Sequence, residues 1–222
     1  MHKRIISVFS VLLIGVTLLA LNRSFRKLSV KKAAVRYTEA ADSFMNGDLI
    51  FQTNTEGQGR AIQLATRSQY THVGILFKVD GEWQVYEAVQ PVQSIPLSEF
   101  TAQGDSGKYT VLRLVKRDSL IGAGQTALMK SYLEQQTGKN YDPYFSWGNE
   151  SMYCSELVWK CYKKAGISLS ALRKLGSFHL SSALVQKTLK QRYGAKIPYD
   201  EQVVAPEDIY RSKLLKVVRA YR

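Results

Sequence analysis

Two short blocks decide how this chain is read: Tyr153-Cys154-Ser155-Glu156-Leu157-Val158 and Tyr70-Thr71-His72-Val73-Gly74-Ile75-Leu76-Phe77, with Cys154 and His72 82 residues apart. The first places a cysteine at the start of an amphipathic helix, and the second places a histidine at the entry of an apolar strand. A helix N-terminus favours the thiolate, and an imidazole can take up its proton and return it later. The pairing points to thiol-based nucleophilic catalysis.

Outward from His72, the residues Val73, Ile75, Phe77 and Val79 alternate on one face of a strand, and Asp80-Gly81 is a two-residue hairpin signal. Trp83 to Val89 is the expected returning strand. If Val79 and Glu82 close the turn, Gly74 faces Glu87 and His72 faces Val89. His72 and Glu87 are then diagonal neighbours, about 7–8 Å apart between backbone positions and closer between side chains. A carboxylate at Glu87 can then orient the imidazole. A register slip of one residue would undo this.

The rest of the chain supports an α+β fold with a small antiparallel sheet and helices to one side. Asn46-Gly47-Asp48 reads as a turn before a strand at Leu49 to Gln52, and Ala61 to Arg67 as a short helix. Pro91 and Pro96 frame a loop, Tyr109 to Val115 is a strand, and Ala123 to Gln136 is a helix stopped at Gly138. The cysteine helix is expected from about Ser151 to Lys164, with its stop at Gly166. A tail of short helical and extended pieces contains Ala205-Pro206-Glu207-Asp208 and a final strand near Leu214 to Val218.

The chain has 222 residues, 45% of them hydrophobic, and a net charge of +13. Its distribution argues against a nucleic-acid partner. Residues 1–36 carry eight bases and no acid, which leaves 23 bases against 18 acids in the remainder, a net +5 that is ordinary for a globular domain. Ile5 to Leu21 is a 17-residue run without charge, preceded by Lys3 and Arg4. It reads as an export signal or membrane anchor, with an uncleaved anchor favoured because no clean small-x-small site follows. Residues 1–36 are therefore assigned to a signal-anchor with a basic juxtamembrane segment, and 37–222 to the catalytic domain. Six bases after the run against two before it would hold the domain in the cytoplasm by a strict positive-inside count, whereas a short basic start followed by an apolar run directs export. An extracytoplasmic domain, periplasmic or at the cell surface, is the expectation.

Cys154 and Cys161 lie seven residues apart on one helix, roughly 10.5 Å, beyond the ~7 Å reach of a disulfide between two Cα atoms. Cys161, in step with Leu157, Val158 and Ala165, reads as a small buried hydrophobe. With only His2, His72 and His179 besides, no metal-ligand cluster emerges, and no cofactor is called for. His179 reads as structural or exposed, Asp48 as a turn former, and Glu156 as support for the helix dipole or a local hydrogen bond.

These blocks resemble the NlpC-type cell-wall cysteine peptidases of the papain-like group, with one change. The usual member has its cysteine helix first. Here the order is Gly47-Asp48-Leu49-Ile50-Phe51, then His72-Val73-Gly74-Ile75, then Tyr86-Glu87-Ala88, and last Tyr153-Cys154-Ser155-Glu156-Leu157. That is a circular permutation and resembles the YiiX-like permuted branch, related to lecithin:retinol acyltransferase. The resemblance implies Cys154 as nucleophile, His72 as general base and acid, and Glu87 as the group that orients the imidazole. Unpermuted relatives often have histidine at the third position, and a carboxylate keeps the physics of the triad. Backbone N–H groups at the helix start would form part of an oxyanion hole, with the Tyr153 hydroxyl as a further donor.

The expected activity is hydrolysis of an amide or ester through an acyl-enzyme on Cys154, the substrate being a cell-envelope peptide or an acyl-lipid conjugate. An acyltransferase using the same site, or a catalytically silent membrane-tethered binding module, would carry the same blocks.

Overall fold

The computed structural model of the chain describes residues 43–221, so the apolar run Ile5–Leu21, the basic connector after it and the boundary at residue 37 lie outside the described residues. Among the described residues no helix is long and apolar enough to cross a membrane.

Six strands make one antiparallel sheet. They are β1 (Leu49–Gln52), β2 (His72–Val79), β3 (Glu82–Glu87), β4 (Gln93–Pro96), β5 (Tyr109–Leu114) and β6 (Leu215–Tyr221), in the order β6-β5-β1-β2-β3-β4. The longer helices are α1 (Gly59–Thr66), α2 (Leu97–Gln103), α3 (Ala123–Gln136), α4 (Cys154–Lys164) and α5 (Ala183–Tyr193). The fold is α+β, as the sequence implies.

The β2–β3 turn is closed by Val79 opposite Glu82, and the register runs on through Leu76 opposite Val85 and Ile75 opposite Tyr86. Asp80 and Gly81 both have positive φ, 49° and 88°, the backbone that joins twisted antiparallel strands through two residues. β3 ends at Glu87, two residues before the expected Val89. The stretch between Pro91 and Pro96 is more than a loop. Gln93–Pro96 is the edge strand β4, with Glu87 opposite Gln93 and Gln84 opposite Pro96. An outermost strand accommodates proline because its outer N–H groups need no partner.

Val73, Ile75 and Phe77 of β2 pack with Leu49, Phe51 and Leu112 against α3 and α4 in one apolar core. α4 contributes Leu157, Val158, Cys161 and Tyr162, a buried stripe at i, i+1, i+4 and i+5. Burying each large apolar side chain of this kind contributes about 1.5–3 kcal/mol. Tyr162 also donates its hydroxyl to the carbonyl of Gly47, which ties α4 to the turn before β1. At that turn Gly47 has φ 91°, and Asp48 accepts the Met45 N–H at 2.9 Å. Asp48 forms the expected turn and, in addition, a forked ion pair with Arg113 of β5 at 2.7 and 2.8 Å.

The opposite face explains the glycine after His72-Val73. A Cβ on Gly74 would stand 2.4 Å from Val85 Cγ1 and 3.0 Å from the Tyr86 carbonyl oxygen, so only glycine fits against β3 there. Phe100 of α2 lies against the same point, 3.4 Å from that position. The fit brings α2 over the end of β2 that carries His72.

Candidate active site

His72 opens β2 and Glu87 closes β3. The hairpin register sets them side by side, with Nε2 of His72 2.6 Å from Oε2 of Glu87. The carboxylate is fully buried, and its second oxygen accepts from Gln93 Nε2 at 3.0 Å. The imidazole is further held by Phe100, stacked on it at 5.6 Å between centroids and 25° between planes. Glu87, Gln93 and Phe100 thus fix one ring nitrogen and the ring plane, and the other nitrogen, Nδ1, is left for Cys154.

Cys154 occupies the first position of α4. Tyr153 before it is extended (φ −107°, ψ 164°), and its N–H reaches back to Glu156 Oε2 at 3.4 Å, a local bond of the kind that opens a helix. Helix α4 begins three residues later than the sequence suggests. Ser151–Met152 instead pairs in parallel with Asn140–Tyr141 as a two-residue ladder. Glu156, wholly buried, is matched by Lys160 one turn on, 2.7 Å away. Burial raises its pKa and the hydrogen bond and charge of Lys160 oppose the rise.

The thiol and the imidazole are hydrogen-bonded partners, and each moves the other's titration. Burial alone would push Cys154 upward. The hydrogen bond and charge of His72 outweigh it, with the backbone N–H groups of Val73 and Ser155 adding to the effect, and the thiol pKa falls below its ordinary value. Burial would likewise lower His72, but its bonds to Cys154 and Glu87 push it up to about 10. Both shifts favour a thiolate beside an imidazolium, and the titration belongs to the two groups together.

Two cavities meet at Cys154. One is a cleft of mixed lining, more polar than the other, bordered by Gln52, Asn54, Thr71, His72 and Gln90 together with Ala88 and Val89. The other is an apolar pocket between α1 and α5, walled by Ala61, Ile62, Leu175, Val185, Leu189 and Val204. Its far wall is built by the tail, which is zipped to the start of α4. Ser155 Oγ donates to the Val204 carbonyl at 2.7 Å, and the Val204 N–H donates to the Tyr153 hydroxyl at 3.2 Å. Asp208 accepts the Ala205 N–H at 2.8 Å and pairs with Arg173 at 3.0 Å, which holds this loop in place. The expected oxyanion donor Tyr153 is therefore engaged with the tail backbone and borders the apolar pocket alone. Tyr141 borders both cavities together with Cys154.

Sequence reading names Cys154, His72 and Glu87 as candidates, and the structure brings all three together. It misses Gln93, Phe100, Tyr141 and the α5 wall. Tyr141-Asp142-Pro143 is visible as an aromatic loop, but nothing local says that it returns to the cysteine. His179 is exposed, with its N–H on the Ala65 carbonyl at 2.9 Å, and Cys161 is a buried free thiol.

Comparison with known proteins agrees with this geometry. The model of the permuted papain-like amidase enzymes, YaeF/YiiX, C92 family, matches residues 43–219. The uncharacterized protein YiiX of Escherichia coli (strain K12) is 40% identical over 173 residues, which cover 78% of this chain and 84% of that protein. A crystal structure of the metalloprotein YiiX from Escherichia coli O157:H7 matches with a TM-score of 0.75 at 40% identity, over 80% of this chain and 97% of the other. Matched by this family model over residues 43–219 and 40% identical to YiiX, this chain belongs to the YaeF/YiiX family of permuted papain-like amidases and is a cysteine hydrolase.

Proposed function

We propose that the protein hydrolyses the amide bond of an acyl-lipid conjugate, with the acyl chain in the apolar pocket and the leaving amine in the more polar cleft. The observation that carries this is the position of Cys154, at the junction of one almost wholly apolar cavity and one of mixed, more polar lining. An envelope peptide would call for polar recognition on both sides of the nucleophile. Here the wall between α1 and α5 is almost entirely hydrocarbon.

In the proposed reaction the Cys154 thiolate attacks the carbonyl carbon, forming the C–S bond as the carbonyl π pair moves to oxygen. Tyr141 supplies the hydrogen bond to that oxyanion, because it faces both cavities where Tyr153 faces the apolar one alone. Collapse restores the carbonyl and breaks the C–N bond, and the His72 imidazolium gives its proton to the departing amine. His72 then takes a proton from water, which attacks the thioester. Loss of the thiolate yields the carboxylic acid. Glu87 holds His72 in position throughout and stabilises its cationic form.

The solved relative is described as a metalloprotein. In this chain the described residues hold no group of three or more His, Cys, Asp or Glu side chains arranged for a metal ion, and both nitrogens of His72 are committed to Glu87 and Cys154. In our reading the Ile5–Leu21 run anchors the enzyme and the domain faces the cell envelope, where lipid conjugates are at hand.

The test is a series of N-acyl amides of increasing chain length beside short peptides. The expected result is kcat/KM that climbs with chain length, by about 0.8 kcal/mol per buried methylene at most, with free acid as product. Preference for peptides would overturn the lipid assignment, and acyl product on an added amine would make the enzyme a transferase.

A further inference from the structure

We propose that Arg192 and Gln58 form a positioning pair that sets the direction of the Tyr141 hydroxyl proton and aims it at the oxyanion. The inference rests on the hydrolase reading above, in which Tyr141 is the oxyanion donor.

The logic is one of donors and acceptors. Arg192, in the last turn of α5, donates Nη2 to Gln58 Oε1 at 2.6 Å. A guanidinium has donors only, so the Gln58 carbonyl is obliged to face it. The Gln58 amide nitrogen therefore faces the other way and donates to the Tyr141 hydroxyl oxygen at 2.5 Å. That nitrogen also has donors only, so the Tyr141 oxygen accepts and its own proton is turned away from Gln58. The direction left open is the space shared with Cys154. Two links fix the polarity of a hydroxyl whose proton would otherwise rotate.

Each member of the relay is held. The Arg192 guanidinium lies over the Phe145 ring, 4.5 Å from its centroid. It is the one cationic side chain lining the apolar pocket among the described residues. Gln58 stands at the start of α1, where the next residue is Gly59. A Cβ there would come within 1.7 Å of the Asn54 carbonyl oxygen, so only glycine lets the helix start this close to that loop. Tyr141 is fixed by its place in the short ladder before α4 and by its N–H on Gln90 Oε1 at 2.7 Å. Nearness to the nucleophile shows in its titration, which burial and the Cys154 charge both push upward.

The discriminating substitution is Gln58→Glu in the full chain. A carboxylate keeps the bond to Arg192 but has only acceptors, so Tyr141 must donate to it and lose its aim. With a long-chain N-acyl anilide as substrate, kcat should fall on the order of 10²-fold, as for loss of one oxyanion donor, with KM little changed. Binding of a fatty aldehyde, which forms a tetrahedral adduct on Cys154, should weaken by the same factor. Alkylation of Cys154 by iodoacetamide at its high-pH plateau forms no oxyanion and should keep its rate. In a Tyr141→Phe background, Gln58→Glu should cost nothing more. Arg192→Met should give a smaller loss of the same kind, as the amide samples both orientations.

Undiminished aldehyde binding in Gln58→Glu, or equal losses with and without the Tyr141 hydroxyl, would overturn the relay, as would full activity in Tyr141→Phe. Failure of the hydrolase reading is told apart by Cys154→Ala, which would then retain turnover.

Discussion

Helix α4 carries two cysteines that share a side chain, a helix and a core, yet have opposite chemistry. Cys154 at its first position meets His72, the N–H groups of Val73 and Ser155, and two cavities. Cys161, two turns later, meets hydrocarbon and the Met129 carbonyl, 3.7 Å from its sulfur. Burial pushes its thiol well above the ordinary range. The Cys154 thiol is buried too, yet moves the other way. Burial alone therefore makes a cysteine inert, and a buried cysteine becomes a nucleophile only where a cation and oriented N–H groups repay the loss of water.

The largest way to break the contrast is to remove the reactive member. Cys154→Ala should abolish turnover of any amide substrate, while circular dichroism and thermal unfolding show the fold retained. His72→Ala comes next. It removes both the cation that lowers the thiol and the proton shuttle, and should reduce kcat by about 10³-fold, within the span for general acid–base groups. Glu87→Gln leaves the ring stacked on Phe100 but removes the charge behind it, and should cost about 10²-fold in kcat. The high-pH limb of its rate profile should move down, since Glu87 helps hold His72 near about 10. Smallest is Cys161→Ala, which should leave kcat unchanged and lower stability by about 1 kcal/mol for the small cavity it opens, read by denaturant unfolding. A loss of turnover there would mean that the two cysteines are not the separate cases described.

The signals that made this site legible are local. Asp80-Gly81 fixes a two-residue turn, and the turn fixes the register that carries Glu87 to His72. Gly138 and Gly166, both with positive φ, mark the ends of α3 and α4. What stayed hidden needs contacts distant in sequence. β4 follows Pro91, ends on Pro96 and shows itself only once β3 is there to pair with, and with it come Gln93 and, in the helix after it, Phe100. The start of α4 was blurred because Ser151–Met152 owes its extended form to Asn140–Tyr141. The Asp48–Arg113 fork joins residues 65 apart. The apolar pocket is built by α5, whose exposed Leu184 and many polar residues give its sequence little helical amphipathicity to read.

The pair also predicts a rate profile with two limbs. Turnover should rise as pH passes the lowered Cys154 pKa and the thiolate forms, and fall as pH passes about 10 and the imidazolium loses its proton. The first limb is the more telling, because it belongs to the nucleophile. The most direct measurement is the rate of Cys154 alkylation by iodoacetamide against pH, followed by mass analysis of the peptides carrying Cys154 and Cys161, in the wild type and in His72→Ala. The account predicts a Cys154 midpoint well below the free-thiol value of about 8.5, its return toward that value in His72→Ala, and no labelling of Cys161 in the folded protein. A Cys154 midpoint near the free-thiol value in both proteins would contradict the ion pair on which the mechanism stands.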